Sequence, residues 1–144
     1  IRSMTIIYTI DGNIGSGKST FVEKLKEYFS NDSKIFFLDE PVNTWITIKH
    51  EGKNIIECFY ENKQKYSFCF QMMAYISRLS ELRKALKGDY DAIICERSVF
   101  TDKFVFAEML YQDGMMDDIE YQIYNKWFYH FIDDLPPIKK IYIK

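Results

Sequence analysis

The chain has 144 residues, of which 47% are hydrophobic and 28% are charged. That length suits one domain and is short for two, and the composition is typical of a soluble globular protein with a full core. The formal net charge of -2 excludes a globally basic surface for nucleic acid, and no apolar run reaches the length of a membrane span. A local anion site stays open, because backbone amides add no formal charge.

The three cysteines, Cys58, Cys69 and Cys95, are odd in number and have apolar neighbours. We expect buried free thiols in a reducing compartment, which favours the cytoplasm and leaves mitochondrial and host-cell locations open. The first residues enter a strand pattern rather than a signal peptide. Residues 1–3 precede Met4, the more natural start, and we interpret them as foreign to the native chain.

Buried strands alternate with helices along the chain. Short apolar runs predict strands over residues 5–10, 34–39, 92–95 and 138–143. Helical spacing predicts helices over residues 17–29, 64–87, 98–111 and 117–132, with short helical pieces within 44–60. This alternation predicts an α/β protein with a mostly parallel sheet.

The turn after the first strand carries a complete phosphate-binding motif. Residues 12–19 read GNIGSGKS and match G-x-x-x-x-G-K-[ST] between a buried strand and a helix. In such a loop the amides surround phosphate oxygens, the lysine reaches the β- and γ-phosphates, and the serine hydroxyl binds Mg²⁺. The alternative is a glycine-rich turn with a chance Lys-Ser pair. The motif predicts a nucleoside triphosphate site made of Gly12, Asn13, Ile14, Gly15, Ser16, Gly17, Lys18, Ser19 and Thr20.

These features predict a P-loop NTPase-type, three-layer α/β domain over residues 4–144. The sequence stops on a strand, whereas parallel sheets are normally covered by helices on both faces. We therefore expect it to be the N-terminal part of a longer protein, interrupted after the fourth strand.

Two acidic segments follow predicted strands: Asp39-Glu40-Pro41 and Glu96-Arg97-Ser98. In open α/β sheets, ligands lie beyond the carboxyl ends of the strands. Phosphoryl transfer to an alcohol needs a base and a held Mg²⁺. We predict Glu40 as the base, Glu96 as the metal-side carboxylate, and Arg97 at the transferring phosphoryl group or the reacting oxygen. Taken alone, the first segment also fits a plain turn, and the second fits a helix start with an exposed ion pair.

Polar residues interrupt the long apolar helix. Gln71 and Arg78 are seven residues apart and lie on nearly one face, and Asp102 and Phe106 share a face of the next helix. An amide, a guanidinium, a carboxylate and an aromatic wall suit recognition of a flat heterocycle. The alternative is ordinary surface, with Arg78 paired to Glu81 one turn on.

Four motifs in this order resemble those of the deoxynucleoside kinases, above all the deoxycytidine/deoxyguanosine kinase branch. They are DGNIGSGKST, EPVNTW, YSFCFQ with SR seven residues on, and ERSVFTDKF. The resemblance covers nearly the whole chain from Met4. The ERS triplet distinguishes these enzymes from thymidylate kinases, which typically carry DR-Y or DR-H there.

The resemblance implies catalytic roles at three matched positions, in addition to Lys18 of the loop. Glu40 would be the base for the 5′-hydroxyl, and Arg97 would contact that hydroxyl and the phosphates. Glu96 would lie beside the metal, with Ser19 as the other Mg²⁺ ligand.

The resemblance also implies a nucleoside pocket. Gln71 would read the base and Tyr60 would contact the sugar 3′-hydroxyl. Ile14, Trp45, Phe70 and Phe106 match the pocket walls. Arg78 and Asp102 match a pair typical of members that accept deoxycytidine or purine deoxynucleosides, which favours these substrates over thymidine.

The expected activity is ATP-dependent 5′-phosphorylation of a deoxynucleoside in nucleotide salvage, with Mg²⁺ and with ATP or another triphosphate as donor. The resemblance and the apolar helices imply a homodimer, with no nucleic acid or membrane partner. The family continues into an arginine-rich lid that this sequence lacks, and lid arginines neutralise charge on the transferred phosphoryl group. Two alternatives stay open: a truncated, non-catalytic nucleotide-binding or dimerisation module, and another small-molecule kinase of the P-loop fold.

Overall fold

The computed structural model describes residues 5–12 and 15–143. The chain divides into two compact units. Unit 1 comprises residues 1–40, 80–98 and 135–144, and unit 2 comprises residues 41–79 and 99–134. That a single domain spans residues 4–144 stays a prediction.

The four predicted strands occur in the predicted order and are separated by helices. In chain order they are β1 (Ile6–Gly12), α1 (Lys18–Tyr28), β2 (Ile35–Leu38), α2 (Val42–Trp45), β3 (Lys49–His50), β4 (Lys53–Asn54), α3 (Ile55–Glu61), α4 (Lys63–Leu86), β5 (Ala92–Glu96), α5 (Val99–Thr101), a π-helical segment (Asp102–Ala107), α6 (Glu108–Gln112), α7 (Asp118–Ile132) and β6 (Ile138–Ile143).

Unit 1 is built on a four-stranded sheet of order β2-β5-β1-β6, in which every neighbouring pair is parallel. Ile7 of β1 lies opposite Ile93 of β5 on one side and Ile138 of β6 on the other. β1, β2 and β5 are mostly apolar, as expected for buried parallel strands, whereas β6, at the end of the strand order, has exposed side chains at Lys139 and Lys140. The predicted α/β fold with a mostly parallel sheet is confirmed.

Helices cover both faces of this sheet, because successive residues of a strand point to opposite sides. On one face Ile7 and Ile93 pack in a cluster with Leu82 of α4. On the other face Ile10 packs in a cluster with Val22 of α1. Unit 1 by itself is therefore a three-layer α/β/α structure, as predicted for a P-loop protein.

Unit 2 contains the segment for which the sequence predicted short helical pieces. The helices α2 and α3 confirm that interpretation, and Asn54 caps α3 by accepting the Glu57 N–H at 3.0 Å. Between them β3 and β4 form an antiparallel hairpin that the sequence analysis missed. Its two-residue strands are mostly exposed, so they carry no apolar alternation, and Glu51 and Gly52 form its left-handed turn.

The core of unit 2 joins α4 to α7 through aromatic side chains. Tyr75, Tyr124 and Phe128 are fully buried, and the Tyr75 hydroxyl donates to the Phe128 carbonyl at 2.9 Å. Burial raises the pKa of Tyr124 far above its usual range, so this phenol stays neutral. Because buried aromatic rings cannot slide past one another, these contacts fix how α4 and α7 pack.

Two expectations about helices need correction. The predicted continuous helix over 98–111 is interrupted by the π-helical segment, so α-helical spacing does not describe the relation between Asp102 and Phe106. Cys58 and Cys95 are buried as expected, but Cys69 is exposed. Helix α4 has apolar residues on several sides, so apolar neighbours did not indicate which side of it is covered. Across the part of the chain described here, no helix has both the length and the apolarity to cross a bilayer.

Candidate functional site

The loop between β1 and α1 has the backbone of a phosphate-binding loop. Gly15 and Gly17 have φ of 80° and 89°, in the left-handed region that only glycine adopts without strain. Helix α1 begins immediately afterwards at Lys18, so its unpaired first-turn amides follow the loop directly. Asn13 and Ile14 lie outside the described residues.

A cleft of about 490 Å³ lies against this loop in unit 1. It is lined by Gly12, Gly15, Gly17, Lys18, Ser19, Thr20 and Arg97. Six of the nine predicted triphosphate residues therefore share one cavity with the predicted catalytic arginine. Ser16 differs from its neighbours, because its Oγ is buried and has no hydrogen-bond partner among the described residues.

Glu96, at the end of β5, reaches the start of α1. Its Oε1 lies 3.6 Å from Lys18 Nζ, and both side chains are partly exposed. The Ser19 hydroxyl and the Glu96 carboxylate are the hard oxygen donors that Mg²⁺ prefers. In the described ranges no three His, Cys, Asp or Glu side chains cluster to hold a metal. The donor set fits an ion that takes one or two protein oxygens and completes its shell with substrate phosphates and water.

Glu40 and Arg97, the two predicted catalytic residues outside the loop, are in contact in unit 1. Arg97 Nε lies 3.3 Å from Glu40 Oε1, and both side chains are partly exposed. Arg97 has an unusual φ of 67°. Its N–H donates to the Ile10 carbonyl at 2.9 Å, and the next N–H, of Ser98, donates to Asp11 Oδ1 at 3.1 Å. The sequence analysis did not single out Asp11, although an acidic residue directly before the loop was a usable signal.

Unit 2 contains a separate polar group buried among aromatic rings. Arg78 Nε lies 2.6 Å from Asp102 Oδ2, with both side chains below 10% exposure. The Arg78 guanidinium lies 5.5 Å from the centre of the Trp45 ring. Glu81, the alternative partner considered for Arg78, lies 3.3 Å from Lys84. Arg78 is therefore buried and paired with Asp102 rather than part of an ordinary surface, and its role in a pocket stays a prediction.

Gln71 adds an unpaired acceptor on α4. The residue is 4% exposed, and its Oε1 is buried without a hydrogen-bond partner among the described residues. Buried polar atoms are nearly always paired, and leaving one unpaired costs about 1–3 kcal/mol. This oxygen is therefore a candidate ligand contact.

Aromatic side chains surround this part of unit 2. Trp45 donates its indole N–H to Ser77 Oγ at 2.8 Å and packs edge-on against Phe70 at 5.5 Å between ring centres. Phe59, which the sequence analysis missed, stacks on Phe70 at 4.8 Å. Tyr60 lies 5.3 Å from Phe59 but is 69% exposed. Phe106 lies in the π-helical segment and is half-buried.

The parallel α/β fold of unit 1 and the glycine loop after β1 place the chain in the class of P-loop α/β proteins. Residues 8–144 match the family model described as deoxynucleoside kinase, and the chain therefore belongs to the deoxynucleoside kinase family.

Curated relatives carry related names. The chain is 35% identical over 128 residues to a probable deoxycytidine kinase of fowlpox virus, covering 87% of this chain and 50% of that protein. It is 33% identical over 137 residues to the deoxycytidine kinase of Mus musculus, covering 83% of this chain and 52% of that protein. It is 30% identical over 137 residues to the mitochondrial deoxyguanosine kinase of Xenopus laevis, covering 83% of this chain and 50% of that protein. The chain spans about half the length of these relatives.

The loop geometry predicts that Gly12→Ala destabilises the protein. Adding Ser16→Ala to that variant should partly restore its stability. A Cβ at position 12 would lie 2.5 Å from Ser16 Oγ and 3.0 Å from the Ile143 carbonyl oxygen. We expect Gly12→Ala to lower the free energy of unfolding by about 1–3 kcal/mol, as overpacking does. Ser16→Ala alone should change it little, and the double variant should recover part of the loss, as measured by urea denaturation. Additive effects of the two substitutions would contradict this account.

Proposed function

We propose that this protein transfers the γ-phosphate of ATP to the 5′-hydroxyl of a deoxynucleoside, with deoxycytidine or purine deoxynucleosides favoured over thymidine. The observation that carries the proposal is the Glu40–Arg97 pair, whose arginine lines the P-loop cleft of a deoxynucleoside kinase family member. The names of the relatives, deoxycytidine and deoxyguanosine kinases, support the substrate class, and an enzyme with this activity would act in nucleotide salvage.

In this proposal the triphosphate binds along the loop of residues 12–20. The loop amides and the start of α1 face the phosphate oxygens, and Lys18 adds a positive charge beside the β- and γ-phosphates. Ser19 and Glu96 would hold Mg²⁺, which supplies further neutralisation of phosphate charge when bound. These groups stabilise negative charge that grows on the phosphates during transfer, which is the main requirement of this chemistry.

Glu40 is the proposed general base. Its carboxylate takes the proton of the 5′-hydroxyl as the hydroxyl oxygen bonds to the γ-phosphorus and the bond to the leaving ADP breaks. The contact with Arg97 holds the carboxylate in one orientation. The same guanidinium carries positive charge into the cleft, where it can bind the transferring phosphoryl group.

Base recognition is assigned to the buried polar group of unit 2. Gln71 Oε1 lacks a partner among the described residues and suits the exocyclic amino group that cytosine and adenine carry. The Arg78–Asp102 pair presents both a donor and an acceptor in a fixed arrangement, which suits the same bases. Ile14, Trp45, Phe70 and Phe106 are the proposed walls, and Tyr60 is the proposed contact of the sugar 3′-hydroxyl.

Glu40→Gln should abolish turnover while leaving ATP binding intact. Gln keeps the shape of the side chain and an oxygen for Arg97, but it cannot take the proton. We expect kcat to fall by about 10²–10⁴-fold, the usual contribution of a general base. Steady-state assays with the four deoxynucleosides measure kcat, and calorimetry measures ATP affinity.

The matched control is Asp39→Asn at the preceding carboxylate. Asp39 is exposed and pairs with Lys26 at 3.0 Å, so its loss should change kcat less than about threefold. Equal effects of the two substitutions would reject Glu40 as the base. Absence of turnover of all four deoxynucleosides by the unmodified protein would reject the proposed function.

Replacing the Arg78–Asp102 pair should erase the preference against thymidine. Arg78→Leu combined with Asp102→Leu removes both charges together, because a single replacement would leave one charge buried and unpaired. We expect the ratio of kcat/KM for deoxycytidine to that for thymidine to fall by about tenfold or more. The control removes the exposed Lys53–Glu61 pair by the same substitutions and should leave the ratio unchanged. An unchanged ratio in the first double variant would refute the assignment.

We also propose that the protein is a homodimer. Three apolar residues that are close in the sequence, on the π-helical segment and α6, are about half exposed: Phe104, Val105 and Met109. Exposed apolar side chains that form a contiguous surface mark association sites, and we infer such a surface here. Val105→Glu should convert the dimer to a monomer in analytical ultracentrifugation, whereas Ile48→Glu, at a similarly exposed site, should not. A monomeric mass of the unmodified protein would contradict the proposal.

A further inference from the structure

The chain leaves β5 through a backbone conformation that is rare for a residue with a side chain. Arg97 has φ of 67°, in the left-handed region. Such a conformation persists only where surrounding contacts hold it, and it recurs at functional sites. The contacts that hold this turn therefore decide where the Arg97 guanidinium lies.

Two hydrogen bonds to β1 hold the turn. The Arg97 N–H donates to the Ile10 carbonyl at 2.9 Å, which extends the β1–β5 pairing by one bond. The left-handed turn then takes Ser98 out of the ladder, although Ser98 is only 2% exposed. Its buried N–H needs an acceptor, and Asp11 Oδ1 supplies it at 3.1 Å.

Asp11 is suited to this task by its position and its charge. It directly precedes Gly12, the last residue of β1, and it is 8% exposed. Its carboxylate accepts a backbone N–H more strongly than a neutral oxygen does. The turn that it holds carries Arg97, whose Nε lies 3.3 Å from Glu40 Oε1 and whose side chain lines the phosphate cleft.

We propose that Asp11 is a positioning residue of the phosphoryl-transfer site: by accepting the Ser98 N–H it holds Arg97 in the left-handed conformation that directs the guanidinium to Glu40 and the cleft. This inference rests on the proposed function for its kinetic consequence. Its structural part, the dependence of the Arg97 turn on the Asp11 carboxylate, stands on the hydrogen bonds alone.

The first test compares Asp11→Ala with Asp11→Asn in the full-length protein. We expect Asp11→Ala to lower kcat by about tenfold or more with little change in the KM for ATP, the pattern of a lost transition-state interaction. Asn retains an acceptor oxygen and should recover kcat to within about threefold. Asp113→Ala, at an exposed aspartate, is the matched control and should leave kcat unchanged. Full activity of Asp11→Ala would overturn the proposal.

A double-mutant cycle with Arg97 separates positioning from general stability. If Asp11 acts through Arg97, then Asp11→Ala should cost less than about twofold in an Arg97→Ala background, because the group that it positions is already gone. The same fold-loss in both backgrounds would overturn the proposal. If Asp11→Ala fails to fold, Arg97→Gly should restore folding, since glycine adopts this conformation without strain. A failure of that rescue would also overturn it.

Hydrogen exchange keeps this inference distinct from the proposed function. The Ser98 amide should exchange about tenfold faster or more in Asp11→Ala, and at close to the original rate in Asp11→Asn, while the amides of β5 stay protected. If the unmodified protein phosphorylates no deoxynucleoside but the Ser98 amide behaves in this way, the proposed function fails and the structural role of Asp11 holds. Unchanged exchange in Asp11→Ala would overturn the role itself.

Discussion

The parallel pairing of β1 with β5 is the constraint on which the rest of unit 1 depends. Its register sets Ile10 opposite Glu96, so β5 ends two residues before β1 ends at Gly12, and the residues that follow Glu96 lie beside the end of β1. The glycine loop and α1 start from one strand end, and the Arg97 turn starts from the other. The 3.6 Å contact between Lys18 and Glu96 follows from that register. A slip of one residue would move Glu96 to the other face and remove this contact.

The main sheet tolerates polar residues and sharp turns at its strand ends because its central residues are apolar on both faces. Ile7 and Ile93 are fully buried under α4, and Ile10 is fully buried on the face that α1 covers. These contacts keep the strands rigid where each of them turns sharply into polar residues. Left-handed conformations at Gly15, Gly17 and Arg97 follow within a few residues of a strand end. For Arg97, which has a side chain, buried hydrogen bonds to β1 offset the unfavourable backbone conformation.

The sequence predicted those features of the fold and of the site that a local residue pattern encodes. Apolar runs located the four strands of the main sheet, and the complete motif located the loop whose glycines adopt the required φ values. The sequence did not predict features that no local pattern encodes. The β3–β4 hairpin has too few residues for an alternating pattern, and the π-helical segment has no composition of its own. The Asp11 contact joins residues 87 positions apart, so a local pattern could single out Asp11 but not its partner Ser98. The burial of Gln71 and Arg78 agreed with their helical spacing, whereas the partner of Arg78 depended on the packing of the π-helical segment.

The polar residues of unit 2 are better explained by binding than by stability. Replacing a buried ion pair such as Arg78–Asp102 with apolar residues is often neutral or stabilising, because desolvation offsets the attraction. The buried Gln71 Oε1, unpaired among the described residues, has a desolvation cost that no such contact offsets. Both features weaken a core that apolar side chains could fill at lower cost. A ligand with complementary donors and acceptors would satisfy these groups when it binds, and their fixed positions would reduce the ordering needed for binding. Their presence beside Trp45 and Phe70 therefore supports the proposal that this part of unit 2 binds a flat, polar ligand.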